Sequence, residues 1–189
     1  MKKYVANSGA EFVILKNLGN KKWLIQFTDT GSVREVYSDN AIAGKVKDLY
    51  AMTCYGVGWL GDYRKYTYWK QGSQLWRNML KRCYSDADPK GYKLKKGTTV
   101  DPRWHSLECF LEDIQFLPNF DKWLVGGKCT KTKYTLDKDL ISPEANTYSK
   151  HTCSFVSEHE NKKAGAINAR ATAPRYVQKR TGKSLTHSS

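Results

Sequence analysis

The apolar residues of this 189-residue chain change their spacing partway along it, and that change dictates a mixed α+β fold. Glu11–Leu18, Lys22–Thr28 and Ser32–Ser38 are short runs rich in β-branched and aromatic side chains. Gly19-Asn20 and Asp29–Gly31 divide them with turn residues. Side chains of a strand alternate between two faces, so runs of this kind read as three strands on hairpin turns. From Gln74 to Tyr84 the pattern differs: Leu75, Trp76, Met79, Leu80 and Cys83 recur at three- and four-residue spacing. That spacing predicts a helix with one apolar face. A second helix is expected over 106–116, with Leu107, Phe110, Leu111 and Ile114 inward and Glu108, Glu112 and Asp113 on a solvated acidic face. Pro118 closes it.

These patterns divide the chain into four parts. Residues 1–50 form a small β module, an SH3-like barrel or a meander, too small to be stable without packing on the rest. Residues 51–68 are a connector rich in glycine and tyrosine, whose aromatics either stack on bases or staple the β module to the next domain. Residues 69–169 form that main domain, and 170–189 a basic tail. Aromatics make up 13% of the chain, enough for a packed core. No apolar run approaches the roughly 20 residues of a membrane-spanning helix, so no membrane partner is expected.

The charge points to a polyanion. The chain carries a formal +14, and the excess is uneven. Residues 51–100 hold ten basic and three acidic side chains, whereas residues 101–150 are locally acidic. A basic chain this aromatic fits nucleic acid best. The candidate phosphate contacts are Arg64, Lys65, Arg77, Lys81, Arg82, Lys93, Lys95 and Lys96, then Arg170, Arg175, Lys179 and Arg180 in the tail. Five cysteines, none in a C-x-x-C pair, give no support for zinc. Their odd number, behind an N-terminus without a signal-like apolar segment, leads us to expect reduced thiols in a cytoplasm.

Beyond Gly126-Gly127 the pattern reads strand, loop, strand, helix. Lys133–Ile141 is the first strand, Ser142–Lys150 the loop, and Thr152–Val156 the second strand. Ser157 and Glu160 then form a capping box, which fixes the helix start. On a regular strand Asp137 and Asp139 share a face and Lys138 takes the other, so both carboxylates could reach one hard cation.

Three stretches carry a resemblance. They are Trp76, Met79, Leu80, Arg82, Cys83 and Tyr84; then Trp104 and Phe110; then Leu136 to Asp139, Tyr148, Thr152 to Val156 and Asn161. Together they resemble phage-encoded HNH-like endonucleases of the His-Me finger superfamily, over roughly residues 69–165. The N-terminal part looks like a module that accompanies such domains in phage proteins. The resemblance implies a ββα-metal core, double-stranded DNA as substrate, Mg²⁺ or Mn²⁺ as cofactor, and a bacterial cytoplasm during infection. Asn161 agrees with the family's last position and would complete a metal shell begun by Asp137 and Asp139; Lys138, beside Asp137, stands at the base position, and His151 or His159 could supply the base or a ligand in its place. Lys138 stands where the family most often has histidine or arginine, and Thr152 where it has asparagine. The expected function is therefore a metal-dependent, homing-type DNA endonuclease. The alternative is a nucleic-acid-binding protein on a degenerate HNH fold.

Overall fold

The computed structural model describes residues 2–85, 97–126, 133–142 and 144–163. Strands β1 (Lys3–Val5), β2 (Glu11–Gly19), β3 (Lys22–Phe27) and β4 (Val33–Tyr37) form an antiparallel sheet in sequence order. The sheet is thus a meander. β1 adds a fourth strand to the three expected, joined through Lys3↔Val13 and Val5↔Glu11. Three residues are too few for their own alternation to show. Gly19, Asn20 and Lys21 all take positive φ in the β2–β3 turn, a conformation glycine adopts without strain. Phe12, Ile25 and Phe27 point to one face and bury completely, with Ala6, Val46 and Ala41 beneath them. Ala41 comes from a short helix, α1 (Ser38–Ile42), that follows β4 directly. Asp48 locks the exit from this unit. Its buried carboxylate accepts Thr30 Oγ1 at 2.6 Å, Ser32 Oγ at 3.0 Å and the Tyr50 N–H at 2.9 Å.

The second unit is built on α2 (Trp69–Tyr84) and α3 (Leu107–Ile114). α2 begins five residues before the expected start, because Trp69 packs edge-on against Tyr63 and Gly72 lets α3 come close. Trp76, Leu80, Trp104, Phe110, Leu111, Ile114 and Phe155 are buried in its core. Two indoles are tied as well as buried. Trp76 Nε1 donates to the Trp104 carbonyl at 2.7 Å, and Trp104 Nε1 donates to Asp113 Oδ2 at 2.9 Å. The second bond takes Asp113 off the expected solvated acidic face of α3, on which Glu112 remains exposed. Asp113 is buried because it pairs with Arg103, while Glu112 takes the same guanidinium and Glu108 takes Lys65.

The connector packs rather than hangs. Its Gly58 lies against Leu80 and Trp76, where a Cβ would come within 2.6 Å of Leu80. Trp59 and Leu60 exchange backbone bonds with His105, Leu107 and Glu108. Tyr68 stacks edge-on with Phe120 and donates to the Leu111 carbonyl. These aromatics therefore staple the chain together; stacking on bases is left to the exposed Tyr55 at most.

Four short elements complete the unit. β5 (Thr99–Val100) pairs in parallel with β7 (Thr147–Tyr148), and β6 (Tyr134–Asp137) pairs antiparallel with β8 (Ser154–Ser157). α4 (Phe120–Val125) covers the latter pair through Phe120 and Trp123, which stacks on Phe155 at 4.9 Å. After β8 the chain is helical over 158–163. Among the described residues no helix is long and apolar enough to cross a membrane.

Candidate functional site

The capping box forms as the sequence indicates. The Glu160 N–H donates to Ser157 Oγ at 3.1 Å, and Glu160 Oε2 accepts the Ser157 N–H at 2.9 Å. The Ser157 hydroxyl also donates to Glu160 Oε2 at 2.7 Å, and that bond, with the one from the Ser157 N–H, holds the Glu160 carboxyl below the ordinary glutamate range. The helix they start carries Asn161 half-buried and His159 exposed.

The strand before it differs from expectation. β6 ends at Asp137, not at Ile141, because the Asp137 carboxylate accepts the Leu140 N–H at 2.8 Å and turns the chain. Alternation therefore stops before Asp139, and the two carboxylates do not share a strand face. Lys138 is the residue that points inward, with its side chain only 3% exposed. Its ammonium donates to Asp139 Oδ1 at 2.6 Å and to the Ala145 carbonyl at 3.1 Å, and lies 5.9 Å from the centre of the Tyr148 ring. Taking a charge out of water is costly, so a buried ammonium needs such acceptors. Lys138 acts here as a donor that clamps the 138–148 loop. The acceptor role of a general base is not what this geometry supplies.

Thr152 closes the same loop from the other side. Its hydroxyl donates to the Thr147 carbonyl at 2.6 Å and accepts the Ser149 N–H at 3.0 Å. Beneath it, burial pushes the Cys153 thiol up to about 11, and the nearby Asp137 adds to the rise. Burial does the same to Cys83, up to about 11, and to the Tyr148 phenol, up to about 12. Arg82, whose guanidinium approaches the Tyr148 hydroxyl, works against that last shift. Cys153 and Tyr148 are buried and Cys83 is half-buried, and thiols raised in this way are poor nucleophiles.

The structure thus gathers Asp137, Lys138, Asp139 and Arg82 around one loop and leaves His151 outside it. His151 is exposed and lines a separate cleft of about 360 Å³ with Arg103, Glu112, Asp113 and Phe116. Among the described residues no three His, Cys, Asp or Glu side chains are grouped to hold a metal ion. The donors divide on chemical grounds. Asp139 already has a cation, whereas Asp137 has one oxygen in the turn bond and Asn161 offers an amide oxygen, both hard donors of the kind Mg²⁺ accepts.

The cationic candidates divide too. α2 is 16 residues long and has Lys70, Arg77, Lys81 and Arg82 but no acidic side chain. At 100° per residue Lys70, Gln74, Arg77 and Lys81 form one exposed stripe, opposite the buried Gly72, Trp76 and Met79. Arg77 and Lys81 have no carboxylate partner among the described residues. Arg64 is exposed over the Tyr63 ring, and Lys65 is committed to Glu108. Lys93, Lys95, Lys96, Arg170, Arg175, Lys179 and Arg180 lie outside the described residues. Lys70 does not stand out from composition, although its seven-residue spacing to Arg77 is the signal that finds it.

No protein-family model, no curated protein and no solved structure matches this chain.

Proposed function

We propose that the chain binds double-stranded DNA along the outer face of α2 and cleaves it as a metal-dependent HNH-type endonuclease. One observation carries the reading. An antiparallel strand pair runs directly into a capped helix, with Asp137 ending the first strand and Asn161 in the helix. This is the order a ββα-metal site uses. The acid-free helix α2 supports it, since unpaired cations in a row suit phosphates. Asp137 and Asn161 would hold a divalent ion together with water. The ion, when bound, would neutralise charge developing on the phosphate. Lys138 and Thr152 would keep the loop between the strands in shape, and Arg82 would face the backbone of the substrate.

A second reading is favoured by the Lys138–Asp139 pair. An ammonium held by the carboxylate already balances a charge that a second metal ligand would supply. On that reading the protein binds DNA and does not cut it. Plasmid cleavage in Mg²⁺ or Mn²⁺ separates the two. The nuclease reading expects nicked or linear product from the wild type and at least a hundredfold loss in Asp137→Ala and Asn161→Ala. Equal cleavage by wild type and both variants, or no metal-dependent cleavage, removes the assignment. Salt-sensitive binding without product leaves the second reading in its place.

A further inference from the structure

The N-terminal sheet and the connector enclose a groove of about 460 Å³. Three separate segments bring cations to it: Arg34 from β4, Lys45 and Lys47 from the stretch after α1, and Arg64 from the turn before α2. Two acids share the lining, Glu35 and Asp62. Glu35 is already neutralised by Lys22, 2.6 Å away. Arg34 is held in place by donating to the Lys47 carbonyl at 2.6 Å. Lys45 and Lys47 are exposed and have no carboxylate partner among the described residues. An excess of unpaired cations along a groove, gathered from distant parts of the sequence, is the footprint of a phosphate backbone.

The groove also leads somewhere. Tyr63 lines it and packs edge-on against Trp69, the first residue of α2, and Lys70 of the basic stripe lies over the same indole. The groove therefore meets the start of the α2 stripe, and one polyanion can run from one to the other.

We propose that this groove is a second phosphate-binding site, which extends the DNA track of α2 onto the N-terminal unit. The β module then contacts the backbone of duplex DNA outside the segment lying on α2. Its lysines and Arg34 are offered to phosphates, contacts that supply affinity and register without themselves carrying sequence. This rests on the DNA-binding part of the proposed function and is independent of cleavage.

The test is the salt dependence of binding to a duplex of mixed sequence, with the full chain throughout. Each lost phosphate contact lowers the slope of log K against log salt by about 0.9. Lys45→Gln/Lys47→Gln should lower it by about 1.8 and weaken binding to every duplex alike. Arg77→Gln/Lys81→Gln should do the same, and the four changes together should add. All four side chains are exposed, and circular dichroism would verify that each variant folds. If only the α2 variant loses slope, the groove is not a site and the DNA-binding reading stands. If the wild type binds no duplex, both fall. If a single-stranded oligonucleotide is bound in preference and the Lys45/Lys47 variant loses that binding instead, the duplex assignment is overturned.

Discussion

The two units differ in how far along the chain their partners lie. In the N-terminal sheet every strand pairs with its neighbour in sequence, and hairpins set the register. In the second unit the decisive bonds span long loops. β5 meets β7 across 48 residues, Trp76 reaches the carbonyl of residue 104, and the Phe155 N–H donates to Pro118. Local pairing costs little loop entropy, whereas long-range pairing must be repaid by a larger core. The buried residues follow that rule. Each core fully buries two phenylalanines, but small side chains such as Ala6 and Ala41 complete the first, whereas two tryptophans and several leucines enlarge the second. Five substitutions at four places probe the contrast, the largest expected effect first.

Trp76→Ala should have the largest effect. The indole is fully buried and its N–H satisfies the Trp104 carbonyl. Truncation leaves a cavity and an unpaired carbonyl, a loss of about 3–5 kcal/mol. The second unit should unfold at lower urea, while hydrogen exchange of the β2–β3 amides stays slow. If those amides lose protection in step, the units fold as one and the contrast between them is broken.

The same contrast explains what could be read in advance. β2, β3 and β4 were legible to within a residue or so, because alternation and the Gly19-Asn20 turn encode them locally. So were α3, N-capped by Ser106, and the capping box at Ser157. β5 and β7 were not, since two residues carry no period and each exists only through the other. The site was half legible. Residues 137–139 do lie together on one loop, but the assumption of a regular strand failed at Asp137, whose carboxylate bonds to its own turn. Nothing in the sequence distinguished the buried Lys138 from the exposed lysines around it. The acids of α3 were misread for a related reason: their partners Arg103 and Lys65 lie on segments that only the fold brings near.

The Lys138–Asp139 pair comes next in size, and it is asymmetric. Asp139→Ala leaves a buried ammonium without its carboxylate and should destabilise by about 2–4 kcal/mol, the lower end applying because Asp139 is itself 47% exposed. Lys138→Met removes the buried charge and keeps the packing against Tyr148, so it should change stability by less than about 1 kcal/mol. Chemical denaturation of the two variants decides it. Equal losses would mean that the ammonium contributes through Ala145 and the ring as much as through Asp139.

Gly72→Ala sets helix propensity against packing. In an isolated helix alanine gains about 1 kcal/mol over glycine. Here the new Cβ would sit 2.2 Å from Leu111 Cδ2, and Leu111 is itself fully buried. Overpacking of that kind costs about 1–3 kcal/mol, so the net change should be a loss of about 1 kcal/mol. A stabilised variant would show that the α2–α3 contact can relax, and that the second core is looser than the long-range bonds suggest.

Ser157→Ala acts on the helix that carries Asn161. Loss of an N-cap hydroxyl costs about 1 kcal/mol. Its pH dependence has a definite sign. Glu160 lies below its ordinary 4.5 in the folded protein because of Ser157. A depressed carboxyl stabilises the fold above the unfolded-state value, and that stabilisation is lost as pH falls through the folded-state value. The gap between wild type and Ser157→Ala should therefore be full at neutral pH and narrow below about pH 4.5. The Ser157 hydroxyl keeps its bond to the Glu160 amide in acid, so a residual gap should persist. A gap that stays constant down to about pH 3 would mean that the bond from the Ser157 hydroxyl to the Glu160 carboxylate adds nothing to the helix start.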